Sequence, residues 1–270
     1  MLKDFTKEKF DIIIQAGQSN AEGYGFGPVK EPYVPCDKVF YLNHDLTISQ
    51  ACEKVSGNEI QTNWSLSFSR EYINGGMLKD GRKLLILRCA VGGTGFSDKR
   101  WGMDDDLYLH MMEMICTALA LNRENRLIAM LWHQGETDAM NKASYETHYA
   151  NLTTLLETVK STFNAEALPF IAGDFVQEWK NNNIDICTPI VDAIRAVCCD
   201  CGCGGFVESD GLMSNNQALS YYPLGWKDTI HFCRESVYEL GVRYFKCFAS
   251  IVSAPFKTQI RTLKSHQLCS

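Results

Sequence analysis

FDIIIQAGQSN, residues 10–20, runs from an apolar, β-branched segment directly into a glycine, a hydroxyl and two amides. The unbroken centre of this run is what a strand buried on both faces of a parallel sheet requires, because such a strand has no wet face to supply polar alternation. Gly17 then allows a sharp turn and a close backbone approach, so Ser19 is delivered beyond the carboxyl end of the strand, where open α/β sheets bind their ligands.

Working outward, the same alternation of strand, turn and helix repeats. Residues 21–35, rich in glycine and proline, read as a long loop in place of a crossover helix, and KVFYLN (38–43) as a short strand. Residues 50–62 are polar. Asn63 is placed to cap a helix over 64–75, with Gly75 and Gly76 as its stop. RKLLILRCAV (82–91) is a second central strand that ends in GGTGF, and the acids at 104–106 suit the amino end of a helix reaching Asn122. A strand over 126–133 breaks at QGETD; helices follow over 144–163, 184–198 and 235–253, with strands at 168–175 and 204–209. The predicted fold is α/β: a three-layer α/β/α sandwich with a central parallel sheet, in one domain over 1–270. Its core spans about 9–253 and the tail from 257 to 270 is polar.

The chain has 270 residues, 46% of them hydrophobic and 21% charged, enough to bury a full core. A formal net charge of -6 argues against nucleic acid or an anionic membrane as partner, since both require concentrated Lys and Arg. The start, MLKDFTKEKF, lacks the apolar region of a secretory signal, and no apolar run approaches the roughly 20 residues that span a bilayer, so the expected location is the cytoplasm. Most of the 12 cysteines sit in apolar segments and read as reduced core residues. Cys198, Cys199, Cys201 and Cys203 in VCCDCGCGG have the density of a soft-metal site but no second ligand pair; the plainer reading is a helix end passing through glycines into a strand.

Four segments carry polar groups where a strand ends or a late loop begins: Gln18-Ser19-Asn20, Gly92-Gly93-Thr94, His133-Gln134-Gly135-Glu136 and Asp228-Thr229-Ile230-His231. The first three converge on one edge of a parallel sheet. In the fourth, the i to i+3 spacing lets the Asp228 carboxylate reach the His231 ring, fixing its tautomer and freeing the other nitrogen to take a proton from Ser19. His133 is a rival base or a pocket wall, and Glu136 a rival acid; Gln18 and Asn20 flank the hydroxyl. Trp101 and Trp226 fall in loops beside these segments and are candidates to stack on a sugar, whereas Trp132 lies in a strand and reads as core.

Together the GQSN, GGT, WHQGETD and DxxH segments, in this order over about residues 11–245, resemble the SGNH hydrolase superfamily. They are most similar to its sialate O-acetylesterase and acetylxylan esterase branch, carbohydrate esterase family 6. That resemblance implies Ser19 as nucleophile, His231 as base and Asp228 as its partner. It also implies an oxyanion hole built from the Ser19 and Gly93 amides and the Gln134 side chain, which stands where the superfamily has asparagine. The implied activity is a serine esterase acting on a small acetylated saccharide, either a xylan oligosaccharide or an acetylated sialic acid, with no metal and no organic cofactor. A noncatalytic sugar-binding protein that keeps the pocket is the alternative.

Overall fold

A computed structural model describes residues 4–254, so the polar tail lies outside the described residues. The strands of the central sheet are β1 (Lys9–Gly17), β2 (Val39–Leu42), β3 (Ile48–Gln50), β6 (Arg82–Arg88), β7 (Arg126–His133), β8 (Phe170–Gly173) and β9 (Gly204–Val207). They lie in the order β3-β2-β6-β1-β7-β8-β9. All neighbours pair in parallel except β2 and β3. The sheet is therefore mixed rather than wholly parallel: residues 43–47 are too few for a crossover, and a tight turn returns the chain antiparallel at the edge. The polar stretch 50–62 holds a further small hairpin, β4 (Lys54–Ser56) with β5 (Glu59–Gln61).

The helices are α1 (Ser19–Glu22), α2 (Trp64–Asn74), α3 (Asp106–Ala120), α4 (Glu136–Met140), α5 (Tyr145–Thr162), α6 (Gln177–Asn182), α7 (Ile184–Asp200), α8 (Asn215–Ala218) and α9 (Arg234–Ser253). α1 corrects the expectation of an unbroken loop after β1; one helical turn forms before Gly23 ends it. Asn63 caps α2 by accepting from the Ser65 amide at 3.1 Å, and Ser144 caps α5 in the same way through Thr147.

Consecutive residues of β7 show how helices cover both faces. Trp132 packs against Phe96 and Trp101, with His148 of α5 beyond them, while His133 points the other way, onto Tyr244 of α9. α2 packs on α9, and α5 on α7. The innermost strand buries Ile12, Ile13, Ile14 and Ala16 completely, as expected of a strand covered on both sides.

Candidate active site

Because β1 lies between β6 and β7, the loops that follow these three strands meet at one place on the carboxyl edge. Gly17 ends β1 with φ +134°, and a Cβ there would lie 2.1 Å from the His133 carbonyl oxygen, so the turn admits glycine alone. One turn later Ser19 begins α1. Its Oγ lies 2.8 Å from His231 Nε2, and His231 Nδ1 lies 2.8 Å from Asp228 Oδ1. His231 precedes α9 rather than opening it. An antiparallel bridge between Ser214 and Phe232 holds its segment in place, and Cys233 is the helix cap.

The imidazole is fixed from several sides. The Asp228 carboxylate also accepts from the His231 amide (3.2 Å) and from Asn215 Nδ2 (2.8 Å). Asn20 donates to the Ile230 carbonyl and accepts from the Phe232 amide, tying the serine turn to both sides of the histidine. Tyr24 stacks on the His231 ring at 5.0 Å. Glu22 Oε2 accepts from the Gly92 amide at 2.7 Å, which joins α1 to the loop after β6.

Neither the Ser19 amide, at the first residue of α1, nor the Gly93 amide has a hydrogen-bond acceptor among the described residues. Gly93 has φ +70° with open space around its Cα, so it is glycine for backbone conformation rather than to avoid a neighbour. The Gln134 side chain is fully buried and donates to Asp138 Oδ2 at 2.9 Å. Asp138 also accepts from the Phe96 and Ser97 amides, and His148 Nδ1 stands 3.2 Å away. Burial would raise the Asp138 carboxyl, but the His148 and Ser97 contacts outweigh it and hold the group at about 2.

A serine, a histidine and an aspartate joined by two 2.8 Å contacts form the constellation that activates a hydroxyl for acyl transfer. The family of carbohydrate esterases described as sialic acid-specific acetylesterases matches residues 9–250. The chain belongs to that family. As a member it is a carboxylic ester hydrolase of the carbohydrate O-acetylesterase kind. It is similar to a probable 9-O-acetyl-N-acetylneuraminic acid deacetylase of Escherichia coli, 25% identical over 63% of this chain and 68% of that one. A probable carbohydrate esterase of Arabidopsis thaliana is likewise 25% identical, over 59% of this chain and 66% of its own. Among solved structures, NanS superposes with a TM-score of 0.77 at 18% identity, covering 91% of this chain and 98% of that one.

The remaining expected site residues of this esterase are placed as follows. Trp101 is a correction: it is fully buried, its Nε1 donates to Thr94 Oγ1, and it packs edge-to-face with Trp132, so it supports the glycine loop and presents no face to a sugar. His133 is a second correction. Its ring is buried between Phe232 and Tyr244; the Tyr244 hydroxyl donates to the Trp132 carbonyl and so accepts from His133 Nδ1. Burial lowers its pKa to about 3, leaving a neutral core histidine that is neither base nor pocket wall. Trp226 is 48% exposed with its ring 6.2 Å from His231, at the rim of the site.

Glu136 is fully buried and accepts from Asn20 Nδ2 at 2.8 Å; the contact to the imidazole is made by Asp228. Burial raises the Glu136 carboxyl above its ordinary value, more than the Asn20 bond lowers it. Gln18 accepts from the Thr137 amide, fastening the serine turn to α4. Asn215 and Tyr24 went unnoticed in the sequence, because neither sits in a motif and both reach the site only through loop packing. The cysteine-rich segment is a helix end: Cys198 and Cys199 are in the last turn of α7, Cys201 caps it, and the chain enters β9 at Gly204. Among the described residues, no group of three or more His, Cys, Asp or Glu side chains is arranged to hold a metal ion.

Proposed function

We propose that this esterase works through Ser19 and an acetyl-enzyme, removing O-acetyl groups from a carbohydrate, with acetylated sialic acid as the sugar. The observation that carries the reading is the pair of 2.8 Å contacts linking Ser19 to His231 and His231 to Asp228. In the first half-reaction His231 Nε2 takes the Ser19 proton as Oγ bonds to the acetyl carbonyl carbon. The resulting oxyanion lies toward the Ser19 and Gly93 amides, each worth roughly 3 kcal/mol when preorganised on that oxygen. Collapse breaks the bond to the sugar oxygen, which takes the proton from His231. Water then attacks the acetyl group with its proton passing to Nε2, and acetate leaves as Ser19 recovers the proton.

Asp228 has the position to keep the ring in the Nδ1–H tautomer and to stabilise the imidazolium formed in each half-reaction. Gln134 is fully buried and gives one of its two N–H groups to Asp138, so its proposed part is to hold the loop. The family description and the name of the Escherichia coli relative both favour sialic acid over a xylan oligosaccharide. Replacing Ser19 by alanine is expected to lower acetate release from 9-O-acetyl-N-acetylneuraminic acid roughly 10⁴-fold or more. A fluorophosphonate is expected to add its mass to the peptide containing Ser19. Full activity in Ser19→Ala rejects the mechanism.

A further inference from the structure

Arg88, the last residue of β6, stands apart from the other half-buried arginines. Among the described residues, Arg70, Arg82, Arg100, Arg195, Arg234 and Arg243 are all at least half-buried, and each pairs with a carboxylate. Arg88 is half-buried too, yet its guanidinium has no hydrogen-bond or ion-pair partner there; it rests on the Tyr41 ring, 5.0 Å from the centroid. An aromatic face holds a guanidinium by its plane and leaves the edge, with its fork of N–H donors, free.

Arg88 lines a cavity of about 160 Å³ together with Gln15, Glu22, His44, Ala90 and Val91. Arg88 is paired in register with Gln15 of β1, so the cavity lies at the same carboxyl edge as Ser19 and one strand across. Glu22 lines the cavity and stands in the same short helix as Ser19. Its carboxylate holds the Gly92 amide, and a Cβ built on Gly92 would stand 3.4 Å from the Ser19 Cβ. On its other side Arg88 borders a second opening with Lys54, Thr62 and Asn63, at the amino end of α2. The charged groups facing Arg88 are thus one carboxylate and one lysine, with His44 drawn toward its neutral form by burial and by the neighbouring His110.

We infer that Arg88 is a specificity residue that receives the carboxylate of an acidic sugar whose acetyl ester lies at Ser19. This rests on the serine-esterase reading above and adds the substrate's charge to it. A planar guanidinium edge matches a carboxylate in two parallel hydrogen bonds. Glu22 sharpens the choice: a bare anion in this cavity meets its negative charge, whereas a hydroxylated acid can offer hydroxyls to Glu22 and its carboxylate to Arg88. Sialic acids carry both groups, with the carboxylate and the glycerol-chain acetyl ester at opposite ends of the carbon skeleton.

The test compares acetate release from 9-O-acetyl-N-acetylneuraminic acid with release from its uncharged C1 carboxamide. In the wild type, kcat/KM for the acid is expected to exceed that for the amide roughly tenfold or more, with the difference in KM. Arg88→Met is expected to bring the ratio near one, and Arg88→Lys, which keeps charge but not the fork, to give an intermediate ratio. A wild-type ratio of one or below overturns the subsite whatever the variants do, and so does a ratio unchanged in Arg88→Met. Turnover of neither sugar, with p-nitrophenyl acetate still cleaved, overturns it as well. Failure of the serine-esterase reading is seen separately, as acetate release that survives Ser19→Ala; the acid-to-amide ratio still judges Arg88.

Discussion

The two ends of β1 bury charge in opposite ways. At the amino end Asp11 is inaccessible to solvent and accepts from Arg82, Arg126 and the Tyr72 hydroxyl at 2.7 to 2.9 Å. Burial alone would raise its carboxyl; the Arg126, Arg82 and Tyr72 donors outweigh that and hold it below the ordinary value. At the carboxyl end, where the neighbouring β7 runs into α4, buried atoms of four residues have no hydrogen-bond partner among the described residues: His133 Nε2, Gln134 Oε1, Glu136 Oε2 and Thr137 Oγ1. Burial there raises the Glu136 carboxyl instead. The fold thus saturates the Asp11 carboxylate and leaves one oxygen of the Glu136 carboxylate without a partner among the described residues.

The largest effect that would sharpen this contrast comes from the two acids near His231. Asp228→Asn is expected to cut kcat roughly 10⁴-fold, because an amide at that position favours the wrong imidazole tautomer. Glu136→Gln keeps the oxygen that Asn20 uses and is expected to cost far less; a greater loss in Glu136→Gln than in Asp228→Asn would reverse the assignment of the acid. At the other end of β1, Asp11→Ala is expected to remove about 3 kcal/mol of unfolding free energy, the lower end for a broken buried pair because Arg126 is half-exposed and can rehydrate. Urea unfolding measures it. Steady-state kcat for p-nitrophenyl acetate should stay near wild type, and a parallel fall in kcat would show that the two ends are coupled.

How much of this was legible in the sequence follows from how local each signal is. The buried strand at 10–17 declares itself by its apolar run, and Asp228 with His231 by i to i+3 spacing, since both depend on neighbours in sequence. The antiparallel edge β3 and the hairpin at 54–61 hid in polar residues, where strand pairing is set by turns rather than hydrophobic pattern. Trp101 and His133 are ambiguous in sequence for a related reason: a loop tryptophan and a strand-end histidine each point to one of two faces, and only packing against Trp132 or Tyr244 decides which. Asn215 and Arg88 depend wholly on tertiary placement. Asn215 bears on the site through Asp228, and Arg88 differs from the other half-buried arginines in having no carboxylate partner among the described residues.

The smallest predicted effect tests whether Glu136 bears the cost that its burial implies. Its folded-state pKa is raised, so its contribution to stability is fully present below the unfolded value of about 4.3 and is lost as pH rises through the folded value. His133 acts in the opposite sense. Its pKa is lowered to about 3, so its contribution is fully present above the unfolded value of about 6.5 and is lost as pH falls toward 3. Both terms are present in the wild type, whereas Glu136→Gln removes only the first. The variant is therefore expected to melt above wild type at pH 8. That advantage should shrink toward zero at pH 4, while the acid-side decline attributable to His133 persists in both proteins. If Glu136→Gln instead destabilises equally at both pH values, what the position loses is packing or the Asn20 bond. The unpartnered carboxylate oxygen would then carry no charge penalty, and the contrast with Asp11 would fail at its active-site end.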